Sequence, residues 1–413
     1  MDGKRGSSVV CRHACFLRFS AAFPSLGLVA YLALAICVQP GVARVRPSPG
    51  KFEHAMVVCQ TPFAGQALPQ GPTMVGTLMP DYDKGTRLVL LRPKQALIVL
   101  TEDFHSACDP DIAFDARSLL FAGKRKALDD WAIFEMSLDS FETRQITRNL
   151  GDCRQPGYQA TFYTIISPKP WYQLSFVRLD HATRNEFAEG SSTHLYSCKL
   201  DGTAARRLTY NLSCDVDPFL KPDGRLVYAA WQRSQLHHGP AGRVSLFDVN
   251  TDGADAAALC TDQGKRIKHM PCATADSLLV FVESDAPTED GSGSLGMVQL
   301  RRPLHSYRAI TGPAQGRFHS PSALPDGRIL VSHRAPGKAA SHGVCTLDPA
   351  TGQMQRIFDD PAYHDIQAQA VYVRAEPDGR SSVVTEEDPF GKLYSMNVYL
   401  NDWKAGDGLS PGS

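Results

Sequence analysis

Residues 213–231, SCDVDPFLKPDGRLVYAAW, carry the pattern that decides the fold. A polar opening with Cys and Asp leads to a proline, and a Pro-Asp-Gly-Arg turn then precedes a short run rich in β-forming residues. Related runs begin at Cys108 (CDPDIAFDARSLLFAG), His319 (HSPSALPDGRILVSH) and His364 (HDIQAQAVYVRAEPDGRSSVV), with more degenerate copies at Cys153 and His269. Six such units, spaced by about 45 to 60 residues, indicate repeated four-stranded blades.

Each unit continues into a second pair of short strands joined by a polar turn. Examples are LYSCKLDGTAARRLT (195–209) and VSLFDVNTDGADAAALC (244–260), where Asp-Gly between alternating strands is a strong hairpin signal. The sequence therefore predicts an all-β, six-bladed β-propeller. The second pair of strands in the last repeat is expected within LYSMNVYLND (393–402). We expect the N-terminal β-rich stretch 86–101 to complete the last blade and close the ring.

The N-terminus differs from the rest of the chain. Lys4, Arg5, Arg12 and Arg18 precede an uncharged apolar run at 21–38, and Gly41-Val42-Ala43 resembles a cleavage site. Residues 1–43 therefore predict a signal peptide, with an uncleaved membrane anchor as the alternative. We expect a linker or extended arm at 44–84, the propeller at 85–403, a flexible tail at 404–413, and a periplasmic or secreted location.

Charge and cysteine content narrow the classes of function. Lys plus Arg equals Asp plus Glu at 43 each, so the chain lacks the basic excess of a nucleic-acid-binding protein. Of the 11 cysteines, eight lie beyond the N-terminal segment. Small buried packing residues, disulfides and metal or redox ligands are all open roles for them.

Several runs carry a resemblance to a known family. RRLTYNLSCDVDPFLKPDGRLVYAAWQR, DQGKRIKHMPC, RFHSPSALPDGRILVS and FDDPAYHDIQAQA resemble the propeller of the hydrazine synthase alpha-subunit family, and more broadly TolB-type six-bladed propellers. The resemblance covers roughly residues 101–402 and implies the propeller fold.

The resemblance implies much less about activity. Members of that family attach haem covalently through Cys-X-X-Cys-His, whereas Cys272 is followed here by Ala273 and no such motif occurs in the sequence. A covalent c-type haem is therefore not expected. We expect a relative that consists of the propeller without the haem-bearing domain, and hydrazine synthesis is not carried over.

Polar residues near the start of each innermost strand form the candidate ligand-binding site at the channel mouth. Convergent polar groups in a concave site are the default binding hypothesis, and hydrogen bonds that tie one blade to the next are the structural alternative. The candidates are His105, Asp111, Arg154, Asp217, His269, His319, His364 and Asp365.

A binding site for a divalent metal is a more specific hypothesis for the same residues. His and Cys are suitable zinc ligands, so the best candidate set is His269, Cys272, His319 and His364, although these residues lack the close spacing of a zinc motif. A calcium ion or ordered water in the channel is the alternative.

The sequence favours an exported binding or scaffold module that recognises a protein or a small ligand. The alternative is a metal- or haem-associated redox subunit related to hydrazine synthase, and a truncated gene product without activity of its own is a third reading. Catalysis by a serine nucleophile is not indicated, because no Gly-X-Ser-X-Gly motif is present.

Overall fold

The structure is a computed structural model that describes residues 52–63, 78–80, 82, 84–161, 171–185, 190–233, 242–260, 263–288, 290–336 and 340–381. The predicted segment 1–43, the predicted strand 393–402 and the tail 404–413 lie outside these residues. Within them, apart from one 3₁₀ turn at Pro313–Gln315, the regular elements are β-strands. No helix in this part of the chain is long and apolar enough to span a bilayer.

The strands form six antiparallel groups of four within the described residues, numbered here in chain order of their first strands. Group 1 contains β4 (Ser106–Ile112), β5 (Ser118–Lys124), β6 (Ala132–Ser137) and β7 (Thr143–Gln145). Group 2 contains β8 (Cys153–Thr161), β9 (Trp171–Arg184), β10 (Ser191–Lys199) and β11 (Arg206–Arg207). Group 3 contains β12 (Asp215–Leu220), β13 (Arg225–Gln232), β14 (Arg243–Asn250) and β15 (Ala257–Ala258).

The remaining groups follow the same plan. Group 4 contains β16 (Ile267–Ala273), β17 (Leu278–Ser284), β18 (Ser294–Gln299) and β19 (Arg308–Ala309). Group 5 contains β20 (Arg317–Ala323), β21 (Ile329–Arg334), β22 (Gly343–Leu347) and β23 (Met354–Phe358). Group 6 contains β24 (Tyr363–Val371) with β1 (Ala55–Pro62), β2 (Arg87–Leu91) and β3 (Ile98–Val99). One parallel bridge between Val244 and Ile267 joins groups 3 and 4 into a single sheet.

The N-terminal strands share a sheet with β24, the last strand among the described residues, as the sequence predicted for residues 86–101. The pairing partner of β24 is nevertheless β1, which lies inside the segment expected to be a linker. Its run Met56-Val57-Val58-Cys59 is buried, so apolar burial outweighs the Pro- and Gly-rich composition around it. The linker prediction for 44–84 is therefore wrong at Ala55–Pro62.

The core lies between neighbouring sheets. The largest fully buried side chains include Trp231, Phe121, Phe176, Phe281 and Phe318, each on a strand. First strands lie side by side around the molecule: β4 contacts β8, β8 contacts β12, β12 contacts β16, β16 contacts β20, β20 contacts β24, and β24 contacts β4.

The cysteines belong to this packing. All eight that the structure describes are buried thiols, and no disulfide joins any two of them. Burial raises the pKa of the Cys272 thiol to about 12, which keeps it protonated at neutral pH.

Candidate functional site

The same backbone irregularity interrupts the first strand of every group. The pairing register with the second strand skips two residues at this point, which is a β-bulge. The first skipped residue has positive φ in all six strands, and in five of them a proline follows it. Because proline has no N–H to donate, a bulge accommodates it without breaking the ladder. We call these first residues the bulge ring: Asp109, Gln155, Asp217, Met270, Ser320 and Gln367.

Hydrogen bonds run from one member of the bulge ring to the next. Asp109 donates its backbone N–H to Gln367 Oε1 at 2.8 Å, and Gln155 donates to Asp109 Oδ2 at 3.0 Å. Asp217 donates to Gln155 Oε1 at 2.8 Å, and Met270 donates to Asp217 Oδ2 at 3.0 Å. The fifth link, from the Ser320 N–H to the Met270 sulfur at 3.4 Å, is weaker because a thioether is a poor acceptor.

The join between groups 5 and 6 uses a different bond. Ser322 Oγ donates to the carbonyl of Ala368 at 2.5 Å. Side chains at the bulges thus link each group to the next, which is the structural alternative that the sequence left open.

A buried ion pair supports this ring between groups 1 and 2. Arg154 donates from Nε to Asp109 Oδ2 at 2.6 Å and from Nη1 to the carbonyl of Pro80 at 3.0 Å. Burial alone would raise the pKa of Asp109, but the charge and hydrogen bonds of Arg154 outweigh it and lower that pKa. Both side chains are therefore ionised and paired in the folded protein.

A cavity of about 570 Å³ lies against the bulge ring and is lined by the first strands of all six groups. Leu78, Pro80 and Tyr82 contribute to it near the beginnings of these strands, because the Tyr82 carbonyl accepts from Ser106, the first residue of β4. Residues 372–377 contribute near the strand ends, because the Arg374 N–H donates to the carbonyl of Phe114. A volume of this size is typical of small-molecule sites.

The chain that leaves β24 crosses the ends of several first strands; we call residues 372–381 the crossing segment. Arg374 Nη2 donates to Asp111 Oδ1 at 3.1 Å in group 1. Arg380 then donates its N–H to the carbonyl of Gly224, and its own carbonyl accepts from Thr251, both at 2.8 Å in group 3. The crossing segment therefore forms part of the cavity wall.

The structure places half of the sequence-predicted site residues in the cavity lining. Asp111, Arg154, Asp217 and His269 line it. His105 lies outside, before β4, where its backbone bonds Lys124 and Gly85. Gln155 and Met270 are absent from the candidates that the sequence suggested, although each stands directly before one of the recurrent prolines, and that position is a signal that sequence reasoning could have used.

Two of the remaining predicted residues lie in a buried histidine cluster with His342. The ring centroids of His319 and His342 are 6.1 Å apart, and those of His342 and His364 are 5.3 Å apart. His364 Nδ1 accepts the backbone N–H of His342 at 3.2 Å. Burial lowers the pKa of His319 to about 4, so its imidazole is neutral at neutral pH.

Asp365 lies apart from the cavity lining as well. Its carboxylate accepts from Gln60 Nε2 at 2.9 Å and from the backbone N–H of Asp360 at 2.7 Å. Burial raises its pKa to about 7 in spite of these bonds.

The proposed metal ligands are dispersed. Of the set His269, Cys272, His319 and His364, only His269 lines the cavity, whereas Cys272 packs in an apolar cluster with Val280. Among the described residues, no group of three or more His, Cys, Asp or Glu side chains is arranged to hold a metal ion.

Comparison with known proteins supports the resemblance. The chain is 29% identical over 349 residues to hydrazine synthase subunit alpha of Kuenenia stuttgartiensis, covering 72% of this chain and 43% of that protein. The solved structure of Kuenenia stuttgartiensis hydrazine synthase superposes with a TM-score of 0.69 at 26% identity, covering 80% of this chain and 48% of the other.

More distant similarity concerns the fold alone. TolB from Acinetobacter baumannii superposes with a TM-score of 0.53 at 13% identity, covering 78% of this chain and 68% of TolB. No family model matches the sequence. The chain spans less than half the length of its hydrazine synthase relative, to which it is homologous, and it has the all-β fold of TolB-like propellers.

Proposed function

We propose that this chain is a six-bladed β-propeller that works as a binding module and takes its ligand in the cavity beside the bulge ring. The observation that carries the proposal is the cavity of about 570 Å³ to which the first strand of every group contributes. Six rigid strands hold the lining residues, so a ligand would meet groups that are already positioned.

The blade count and the closure of the ring rest on two features of the fold. The strands fall into six antiparallel groups of four, and the contacts between first strands return from β24 to β4. Group 6 combines β24 with three strands from the N-terminal part of the chain, an arrangement that joins the two ends of a propeller within one blade.

A cavity-blocking variant tests the binding role. Ala275 is exposed and lines the cavity, so Ala275→Trp adds bulk there without entering the core. Ala205→Trp is the matched control, because Ala205 is exposed on a turn outside the lining. We expect compounds found by a thermal-shift screen of a metabolite library to lose binding to the first variant and to keep it with the second. Hits that bind Ala275→Trp equally well would place recognition elsewhere.

A partner protein is the second element of the proposal. The relative is by name a subunit of hydrazine synthase, which supports assembly of this chain with another protein. Export also remains part of the proposal, on the strength of the basic and apolar segments at 1–43. N-terminal sequencing of the protein recovered from cell envelopes tests export: a start after Ala43 supports a cleaved signal.

A redox subunit is the alternative, favoured by the sequence identity to hydrazine synthase subunit alpha. Covalent haem is not expected without Cys-X-X-Cys-His, so this alternative depends on a non-covalent metal or on a separate cytochrome. Elemental analysis and visible spectroscopy of protein purified from its native compartment distinguish the two. A stoichiometric metal or a haem band would favour the redox subunit over the binding module.

A further inference from the structure

The charged groups that line the cavity are unbalanced. The described lining residues contain five carboxylates, two guanidinium groups and no lysine. The carboxylates are Asp109, Asp111, Asp217, Asp290 and Glu376, and the guanidinium groups are those of Arg154 and Arg374. An excess of one charge sign in a concave, partly dehydrated site attracts ligands of the opposite sign.

Three of the five carboxylates have a cationic partner. Asp109 pairs with Arg154 at 2.6 Å, and Asp111 pairs with Arg374 at 3.1 Å. Asp290 pairs at 2.6 Å with Arg334, which is outside the lining. Within each of these three pairs the charges cancel, so little net charge remains there to attract a ligand.

Asp217 and Glu376 are different, because in the described part of the chain no Lys or Arg nitrogen lies within 4.0 Å of either carboxylate. Asp217 accepts hydrogen bonds from Gln155 and Met270, and His269 Nδ1 lies 3.6 Å from its Oδ2. Glu376 is exposed on the crossing segment and accepts from the Tyr172 hydroxyl at 2.5 Å. Among the described residues, the cavity thus has one largely buried and one exposed carboxylate that no Lys or Arg pairs with.

The rest of the lining suits an organic body. Prolines follow five members of the bulge ring, and the lining also includes the aromatic rings of Tyr158, Phe219 and Tyr372. Aromatic faces attract cations, and the Tyr82 and Phe114 rings are already covered by Arg154 and Arg374. The volume is far larger than a bare ion needs, and it falls in the range of small-molecule sites.

We propose that the cavity binds an organic cation, an ammonium or guanidinium group on an apolar body, whose charge is met by Asp217 in the interior and by Glu376 at the crossing segment. This inference rests on the proposed binding function and names its ligand class. A cation here regains at Asp217 the attraction that it loses on leaving water. An anion would instead meet two carboxylates without compensation.

The test uses probes that differ in charge and share one body: 3-phenylpropylamine, 3-phenylpropanol and 3-phenylpropanoate, together with a panel of primary and quaternary amines. Isothermal titration of the full chain at about pH 8, where imidazoles are generally neutral, gives the affinities. We expect at least one amine to bind about tenfold more tightly than its alcohol, and the carboxylate to bind most weakly.

Two variants locate the charge that is responsible. Asp217→Asn should weaken amine binding about tenfold while the alcohol changes little. Glu376→Gln keeps an acceptor for Tyr172 and should weaken amines about threefold, an effect that shrinks as salt is added. Because Glu376 is exposed, this second variant keeps the test valid if Asp217→Asn fails to fold.

The outcomes separate the inference from the proposed function. Equal or tighter binding of the alcohol or the carboxylate would overturn the cation assignment and leave the binding module in place. Failure of every amine to bind would also overturn it, and the response of library hits to Ala275→Trp would then decide the binding function alone. Amine binding that both variants leave unchanged would show that these carboxylates are not the recognition groups.

Discussion

Asp217 and Gln155 hydrogen bond to each other through backbone and side chain at once. The Asp217 N–H donates to Gln155 Oε1 at 2.8 Å, and Gln155 Nε2 donates back to Asp217 Oδ1. The two residues occupy equivalent bulges of groups 2 and 3, so this pair joins two sheets and also fixes the orientation of a cavity carboxylate.

Gln155→Leu should lower the free energy of unfolding by about 2 kcal/mol, because it leaves a half-buried N–H and a carboxylate oxygen without partners. Urea denaturation measures the change. Gln353→Leu is the matched control on an exposed turn and should stay within about 0.5 kcal/mol. Equal effects of the two substitutions would refute a structural role for the bulge ring.

Arg154→Met should cost about 3–5 kcal/mol of stability, because it leaves the buried Asp109 carboxylate without its cation. The double variant Arg154→Met with Asp109→Asn should be less damaging than the single one, since no buried charge then remains. Arg125→Met, which removes an exposed pair with Asp103, should cost no more than about 1 kcal/mol. A double variant as unstable as the sum of its parts would contradict this account.

His319 should make the fold sensitive to acid. Its pKa is about 4 in the folded protein against an ordinary value of 6.5, so the unfolded chain binds the extra proton between these values. This contribution to stability is present above about pH 6.5 and is lost as pH falls toward about pH 4. The loss should be roughly 2 kcal/mol at about pH 5.

Denaturation of His319→Gln at about pH 5 and pH 7 measures that term, and the variant should lose less stability between the two than the unmodified protein. Exposed His305→Gln is the control and should follow the unmodified protein. If His319→Gln loses as much stability between about pH 7 and pH 5 as the unmodified protein, another group causes the acid sensitivity.

The titration of Asp365 should change stability with pH in the opposite direction to that of His319. Its pKa is raised from 3.8 to about 7, so the folded state holds a proton that the unfolded chain releases. Stability from this group is present below the lower value and is lost as pH rises through about 7, by roughly 2–4 kcal/mol. Asp365→Asn should remove this loss of stability with rising pH, whereas exposed Asp139→Asn should not. Unfolding midpoints at about pH 5 and pH 8 measure the difference.

Gly224 holds the crossing segment by close approach. Its φ is +81°, and a Cβ there would lie 1.9 Å from the carbonyl oxygen of Asp378. Gly224→Ala should therefore cost about 3 kcal/mol and speed proteolysis within residues 372–381. Gly151 has φ +72° but open space around it, so Gly151→Ala should cost only about 1 kcal/mol. Equal costs would mean that strain in φ, and not the contact with Asp378, decides the effect.

The sequence predicted the repeated part of the fold because the signals for it are local. The polar opening, the proline and the Asp-Gly turn lie within a few positions of one another, and each acts on its own stretch of backbone. They located the first strands from Ser106 to Val371 and the hairpins that follow them. The same local signals select Asp111, Arg154, Asp217 and His269 as candidate ligand-binding residues, and these four line the cavity.

The pairing of β1 with β24 was not predictable in this way. Nothing in the local composition of Ala55–Pro62 indicates that it pairs with a strand about 300 residues later, and the Pro- and Gly-rich surroundings favour a linker instead. The strand that a segment pairs with depends on which strand edges remain unpaired after the other sheets have formed.

The repeat is encoded in the sequence alone, as six related units with their prolines and turns, because each of these signals depends on neighbouring residues. Which side chains meet depends on the tertiary structure. It brings His342 to His319 and His364 and pairs Arg374 with Asp111, and in the part of the chain that the structure describes it gives Asp217 no guanidinium partner beside the cavity. These relationships depend on distance in space and on burial, and a linear sequence states neither.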